Sequence, residues 1–292
     1  MSGKVEVLAP GLFATVQDLG RPGYTALGVG RSGAADRAAL RLANRLVGNP
    51  ESNAAIEATF GGLAVRFDGP GLIALTGAVG AARLGGRAIG PNAPVLVRVG
   101  DELRLGAPEV GLRAYLAVRG GIDVPPVLGG RGTDTLSGLG PEPLAAGTTL
   151  PVGERVLAWP PVDLAPCAAL VPEPVLRLIP GPRLDFFTPD AFDRLLSGRY
   201  LVSAESNRVG LRLDGPVLRR ARTGELPPEP AAPGAVQVPP SGQPILFLAD
   251  HPVTGGYPVV AVVAEDDLGG AAQARPGTRL RFARYGRGCL PA

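Results

Sequence analysis

The chemistry open to this 292-residue chain is set by what it has few of. His251 is its only histidine and Lys4 its only lysine. Metal sites built from several histidines are excluded, and a Ser-His-Asp triad would have to use His251. A P-loop lysine or a Schiff-base lysine in the body of the chain is excluded as well. Cys167 and Cys289 are far apart and make neither a zinc site nor a disulfide framework. What remains is arginine, carboxylate, amide and glycine-rich loops, a set that suits a small polar anion.

Five stretches concentrate those groups. Gly28-Val-Gly-Arg-Ser-Gly33 matches G-x-G-x-x-G and runs into an apolar-periodic segment. No strand precedes it, so a dinucleotide fold is rejected. A glycine-rich loop feeding a helix start still suits an anion, which makes Ser32 and Gly33 binding candidates. In Thr15-Val-Gln-Asp-Leu-Gly-Arg-Pro-Gly-Tyr24, the side chains of Gln17, Asp18 and Arg21 either orient a polar ligand or form a turn in which Asp18 and Arg21 pair. Glu57, flanked by Ile56 and Ala58, is either on the wet face of a strand or a directed acid or base. Asn207-Arg208 precedes an alternating strand. Arg208 offers a guanidinium fork for a carboxylate or phosphate, while Arg212, between Leu211 and Leu213, belongs to a solvated face. The densest patch joins Gln237 to Asp250-His251 and Thr254-Gly255-Gly256-Tyr257. Asp250 and His251 are adjacent, so on a strand they face opposite ways and do not form a dyad. The two glycines allow close backbone approach, and Tyr257 can close over a ligand.

The elements that must position these residues read as strands. Short apolar or alternating runs occur at 72–76, 94–99, 101–105, 112–118, 175–179, 245–248, 259–263 and 278–282, bounded by Gly, Pro and Asp. Leu84-Gly-Gly-Arg87 and Val99-Gly-Asp101 read as hairpin corners. Two helices are expected, 34–47 capped by Ser32 and 189–197 capped by Thr188. The non-periodic stretch 159–174 is the expected boundary between an N-terminal β domain, 1–165, and a C-terminal one, 172–292. The expectation is a mainly β protein: two packed, barrel-like β domains with few short helices. Gly (43) and Pro (32) serve as turn punctuation, because apolar runs lie between them.

Net charge is +3 with a sequence pI near 9.2, but the arginines are scattered among Asp and Glu, which argues against nucleic acid. No apolar run reaches the roughly 18 residues of a membrane span. No apolar signal core follows Met1, and a cytoplasmic protein is expected.

Taken in order, the motifs resemble one family. Thr15 to Tyr24, Ser32-Gly-Ala-Ala-Asp36, Ala43-Asn44 and Val47-Gly-Asn49 are followed by Tyr115-Leu-Ala-Val-Arg-Gly-Gly-Ile122 and by Arg131 with Thr133-Asp134. Pro180-Gly-Pro182, Asn207-Arg208 with Gly210, Gly234-Ala-Val-Gln-Val-Pro239 and Thr254-Gly-Gly-Tyr-Pro258 complete the series. The chain resembles the family of 5-oxoprolinase C-type subunits, also known as the biotin-dependent carboxyltransferase or allophanate hydrolase subunit 2 family. It is similar to the carboxyltransferase A/B region of urea amidolyase and to the sporulation kinase-inhibitor antagonist. The resemblance implies cyclophilin-like β-barrel domains and ATP-dependent hydrolysis of 5-oxoproline to glutamate. Its implied partners are a B-type sister chain (allophanate hydrolase subunit 1-like) and an A-type, ring-opening chain. ATP with Mg would be shared with these partners, this chain would carry no biotin, and alone it would be inactive. The alternatives are carboxyl transfer from carboxybiotin to urea or a related amide, and a non-catalytic regulatory partner. On this reading Asp250, Glu57 and Arg208 are the catalytic candidates. The substrate- or phosphate-binding candidates are Gln17, Asp18, Arg21, Ser32, Gly33, Asn207, Gln237, Thr254, Gly255, Gly256 and Tyr257, with no metal ligand among them. Departures from the family pattern fall at Ala35, Asn207, Gly132, Leu139 to Pro141 and Pro228-Glu229-Pro230.

Overall fold

A computed structural model describes residues 3–222, 224 and 226–286; Cys289 lies outside them. The chain forms two compact units, one of residues 1–22 and 31–170, the other of residues 23–30 and 171–292.

The first unit is built from two antiparallel sheets. One runs in the order Thr149–Pro151, Lys4–Pro10, Leu63–Phe67, Glu102–Leu105, Ala82–Leu84, Arg87–Ile89. The other runs Phe13–Gln17, Ala55–Thr59, Arg113–Val118, Gly71–Gly77, Pro94–Val97. Strand alternation fixes their faces. Val5 and Val7 pair opposite Phe67 and Val65 and point inward, while Glu6 points out to Arg66 at 3.1 Å. The inward set packs with Val16, Ile56, Ile73, Leu75 and Leu116 of the second sheet into one core.

The second sheet's other face is covered by helix α1 (Arg37–Leu46), whose Leu40, Ala43 and Leu46 pack on Ala55, Leu72, Ala74, Tyr115 and Ala117. With both faces covered, Arg113–Val118 is buried at every position. The cap of α1 is Asp36, whose Oδ1 accepts from the Ala39 N–H at 3.0 Å. Ser32 is not the cap. It sits four residues earlier, in a left-handed turn with φ of 52°.

The second unit contains a closed seven-stranded barrel. Its order is Val175–Pro180, Val259–Val263, Ala235–Gln237, Ile245–Phe247, Gly210–Asp214, Arg199–Val202, Arg279–Arg284. Closure is made by parallel pairing of Val175 to Leu178 with Arg281 to Arg284, and all other barrel pairs are antiparallel. Alternation fills the interior with Leu176, Leu178, Val202, Leu211, Leu213, Val236, Leu246, Val260 and Phe282. Helices α2 (Ala191–Ser197) and α3 (Leu268–Gln273) add Phe192, Leu195 and Ala271 to the same core. The outward residues Ala235, Phe247 and Val259 form a smaller apolar patch with Ala231 against it.

The mainly β expectation with few short helices holds, and a barrel is present. Three details differ. The first unit is a pair of facing sheets rather than a barrel. The turn at Arg98 to Asp101 is not a hairpin: the strand before it belongs to one sheet and the strand after it to the other. Helix α3 carries Gly269-Gly270, a poor helix sequence, and forms because its alanines pack into the barrel. Among the described residues, no helix is long and apolar enough to cross a membrane.

Candidate functional site

In the first unit Glu57 lies on the helix-covered face of its strand, 1% exposed. It is not on a wet face, and its carboxylate is held from several sides. Tyr115 Oη donates to Oε2 at 2.7 Å, the Ala35 N–H donates to Oε2 at 3.1 Å, and Arg113 Nε stands 3.5 Å from Oε1. Tyr115 Oη in turn accepts from the Asp36 N–H at 2.8 Å. Burial and the neighbouring Glu57 and Asp36 charges push the Tyr115 phenol well above its ordinary pKa. Glu57 thus ties the start of α1 to the sheet.

Asp18 and Arg21 do not pair with each other. Asp18 accepts from the Gly20 N–H at 2.8 Å and the Arg131 N–H at 2.6 Å. Arg21, 1% exposed, donates to the Gly132 carbonyl and lies 3.7 Å from Asp134. Gln17 donates through Nε2 to the Thr133 carbonyl and to Thr15 Oγ1, leaving its buried Oε1 without a partner. Ser32 Oγ lies 3.4 Å from the Thr133 carbonyl, and Gly33 follows with φ of 95°. The residues 15–21 and 32–33 are therefore gathered around the turn 131–134 and are mostly engaged by it.

In the second unit the three segments 206–210, 234–240 and 250–257 meet. Arg208 grips Asp250 through two parallel bonds, Nε to Oδ2 at 2.9 Å and Nη2 to Oδ1 at 3.1 Å, and both side chains are buried. The fork expected to hold a ligand is filled by this carboxylate. Asn207 Oδ1 accepts from the N–H groups of Val209 and Gly210 at 2.8 and 3.4 Å. An aspartate carboxylate would make the same turn, so the departure at this position preserves the loop. His251 stacks on Phe247, centroids 5.7 Å apart.

The outward face of Ala235–Gln237 carries the open polar group. Gln237 is 5% exposed, and its carboxamide makes no hydrogen bond within the described residues. Beside it, Thr254–Gly255 pairs antiparallel with Glu229–Pro230. A Cβ on Gly255 would collide with Gln237 Nε2, so only glycine leaves the carboxamide where it is. Arg183 forms a two-bond pair with Glu229, lifting its own pKa and holding the Glu229 carboxyl below its ordinary value. Two residues of the departure at Pro228 to Pro230, Glu229 and Pro230, therefore form the strand that pairs with Thr254-Gly255. Tyr257 is about half exposed. Arg220, which no sequence motif marks, places its guanidinium over the Tyr257 ring at 5.8 Å and donates through Nη2 to the Val238 carbonyl.

Two β units with these loops define a class, and the match is direct. The family model for the carboxyltransferase domain, subdomains A and B, matches residues 27–284, and the chain belongs to that family. It is 38% identical over 281 residues to the C-type subunit of 5-oxoprolinase from Escherichia coli, covering 95% of this chain and 90% of that protein. It is 36% identical to urea amidolyase of Lachancea kluyveri, covering 95% of this chain but 17% of that longer protein. The crystal structure of urea amidolyase from Kluyveromyces lactis superimposes with a TM-score of 0.89 at 32% identity, covering 98% of this chain and 19% of that one.

Proposed function

We propose that this chain is the C-type component of an ATP-dependent 5-oxoprolinase, acting with a B-type sister chain and an A-type, ring-opening chain. The observation that carries the reading is the 38% identity extending over 90% of the Escherichia coli protein. The chemistry fits the side chains available. A lactam carbonyl resists attack by water, and ATP supplies the phosphoryl group that makes its oxygen a leaving group. This chain's part is to bind and orient the lactam with fixed donors and acceptors.

Among the described residues, the two most buried candidate arginines, Arg21 and Arg208, are paired with the carboxylates of Asp134 and Asp250. Among those described, no group of three or more His, Cys, Asp or Glu is placed to hold a metal ion. On this reading ATP and its magnesium are shared with the partner chains.

The test is reconstitution. The chain purified alone releases no phosphate from ATP with 5-oxoproline; with both partner chains it releases phosphate and glutamate together. Turnover by the isolated chain overturns the shared-site reading. A second reading, carboxyl transfer from carboxybiotin to urea or a related amide, is favoured by the resemblance to urea amidolyase. Dependence of turnover on a biotin carboxylase, with urea consumed, would establish that reading instead.

A further inference from the structure

We propose that Gln237 and Arg220 form a two-point recognition site for a cyclic amide bearing a carboxylate, the Gln237 carboxamide pairing with the lactam edge and the Arg220 guanidinium taking the carboxylate. The inference deepens the oxoprolinase reading and rests on it for the identity of the substrate.

The first observation is the state of Gln237. Its strand neighbour Val236 points into the barrel, so Gln237 points out, beneath Thr254–Gly255. It is nineteen-twentieths buried, yet its carboxamide has no hydrogen-bond partner among the described residues. Its amide atoms are not sealed from solvent, so the unbonded carboxamide is open to a ligand from outside. Gly255 leaves room for it, because a side chain at that position would fill the space the amide occupies.

The second observation is independent. Arg220 Nε is buried with no hydrogen-bond partner, while Nη2 is held by the carbonyl of Val238, the residue next to Gln237. The guanidinium lies over the ring of Tyr257, two residues after Gly255. Burial lowers its pKa, but a guanidinium stays charged. A cation anchored on the residue that follows an open carboxamide suits a ligand that carries an anion as well as an amide.

The chemistry of the two groups narrows the ligand. A primary carboxamide carries an acceptor and a donor on one edge. A lactam ring holds its amide cis, so its C=O and N–H also share an edge, and the two edges close a ring of two hydrogen bonds. A chain peptide bond is trans, with C=O and N–H on opposite sides, and cannot make that pair. Urea can offer the same edge but has no anion for Arg220, so this site favours an acidic lactam over urea.

The experiment uses the complex reconstituted with both partner chains. Steady-state kinetics give kcat and KM for 5-oxoproline, and calorimetry gives binding of 5-oxoproline, 2-pyrrolidinone and urea. Gln237→Glu, Gln237→Met and Arg220→Ala are each expected to raise KM at least about tenfold, the loss typical of a charge-assisted or doubly bonded contact, with kcat changing less. Arg220→Lys is expected to recover part of the loss. In the unaltered complex 5-oxoproline binds more tightly than 2-pyrrolidinone, and Arg220→Ala erases that difference. Exposed Arg212→Ala is the control and changes nothing. Unchanged KM in the Gln237 and Arg220 variants overturns the proposal while leaving the oxoprolinase reading intact. If the complex releases no glutamate, that reading fails, and calorimetry still decides the site. Equal binding of 5-oxoproline and urea, or binding indifferent to all three variants, overturns it.

Discussion

Arg208 and Asp250, 42 residues apart, are locked face to face by two bonds of 2.9 and 3.1 Å in a buried pocket of the barrel unit. Backbone bonds reinforce the join: the Asp250 N–H donates to the Arg208 carbonyl at 3.0 Å, and the Leu248 N–H to that of Val209 at 3.0 Å. The pair sets the path of the loop that leads on to Thr254 and Tyr257.

Removing the guanidinium leaves a carboxylate buried and uncompensated, which costs ~3–5 kcal/mol. Arg208→Ala is therefore expected to lower Tm strongly, with loss of activity following loss of fold. Asp250→Asn in the same chain should restore part of the stability, because the uncompensated charge is gone. Chemical denaturation of the single and double variants checks this. If Arg208→Ala keeps its Tm and loses only kcat/KM, the pair is not structural and the arginine serves the ligand directly.

The Glu57–Tyr115 bond gives the first unit a comparable anchor. Tyr115→Phe removes one donor from a buried carboxylate and the acceptor of the Asp36 N–H. The expected loss is about 1–3 kcal/mol. Glu57→Ala should cost more, since it removes the acceptor of both the Tyr115 hydroxyl and the Ala35 N–H. Urea denaturation of both single variants and the double variant measures their coupling. Additive losses would show that the two side chains act independently.

The contrast between Arg212 and Arg208 shows what is legible in the chain itself. Arg212 alternates with Leu211 and Leu213, and local pattern alone puts it on the exposed face, where it meets Glu205 at 3.5 Å. Arg208 stands only four residues earlier, but its partner is chosen by the register Gly210 to Phe247, which no local pattern encodes. Glu57 is misplaced for a related reason. Alternation says which residues share a face, not whether a helix covers that face, and α1 covers this one. Arg220 carries no signal at all, because its significance lies in Val238 and Tyr257 reaching it from two other segments. The glycines at 255 and 256 are legible as a place of close approach, and Gly255 is such a place against Gln237.

The Arg183–Glu229 pair makes the Glu229–Pro230 and Thr254–Gly255 strands sensitive to acid. The Glu229 carboxyl is held below its ordinary pKa near 4.5, first by the hydrogen bond from Arg183. A carboxylate with a depressed pKa in the folded state contributes its stabilisation above its ordinary pKa and loses it as pH falls through the depressed value. The strand pair is thus expected to hold above pH 4.5 and to loosen only as pH falls below it. Amide exchange at Ala231, whose N–H donates to the Val253 carbonyl, reports it. Both side chains are partly exposed, so the effect should be small and should weaken with salt. A Glu229→Gln variant showing the same acid response would remove Glu229 as the cause.

Gly255 provides the sharpest separation of folding from binding. Its φ is not left-handed, so the backbone accepts alanine without strain. The new Cβ would collide with Gln237 Nε2, and that atom is the free end of a flexible side chain. The carboxamide can swing aside at little cost, so Gly255→Ala is expected to change stability by less than ~1 kcal/mol, within the range of substitutions that break no buried network. What it does change is where the carboxamide points. If Gln237 reads the lactam edge, Gly255→Ala raises KM for 5-oxoproline by about tenfold or more, matching the loss in Gln237→Met, because either substitution removes the same pair of hydrogen bonds. The double variant Gly255→Ala/Gln237→Met should then be no worse than either single one, since the second change removes a contact already lost. Thermal melts and steady-state kinetics on the reconstituted complex measure both quantities. A Gly255→Ala protein with unaltered KM, or a double variant whose losses multiply, would mean that the glycine and the glutamine serve different ends.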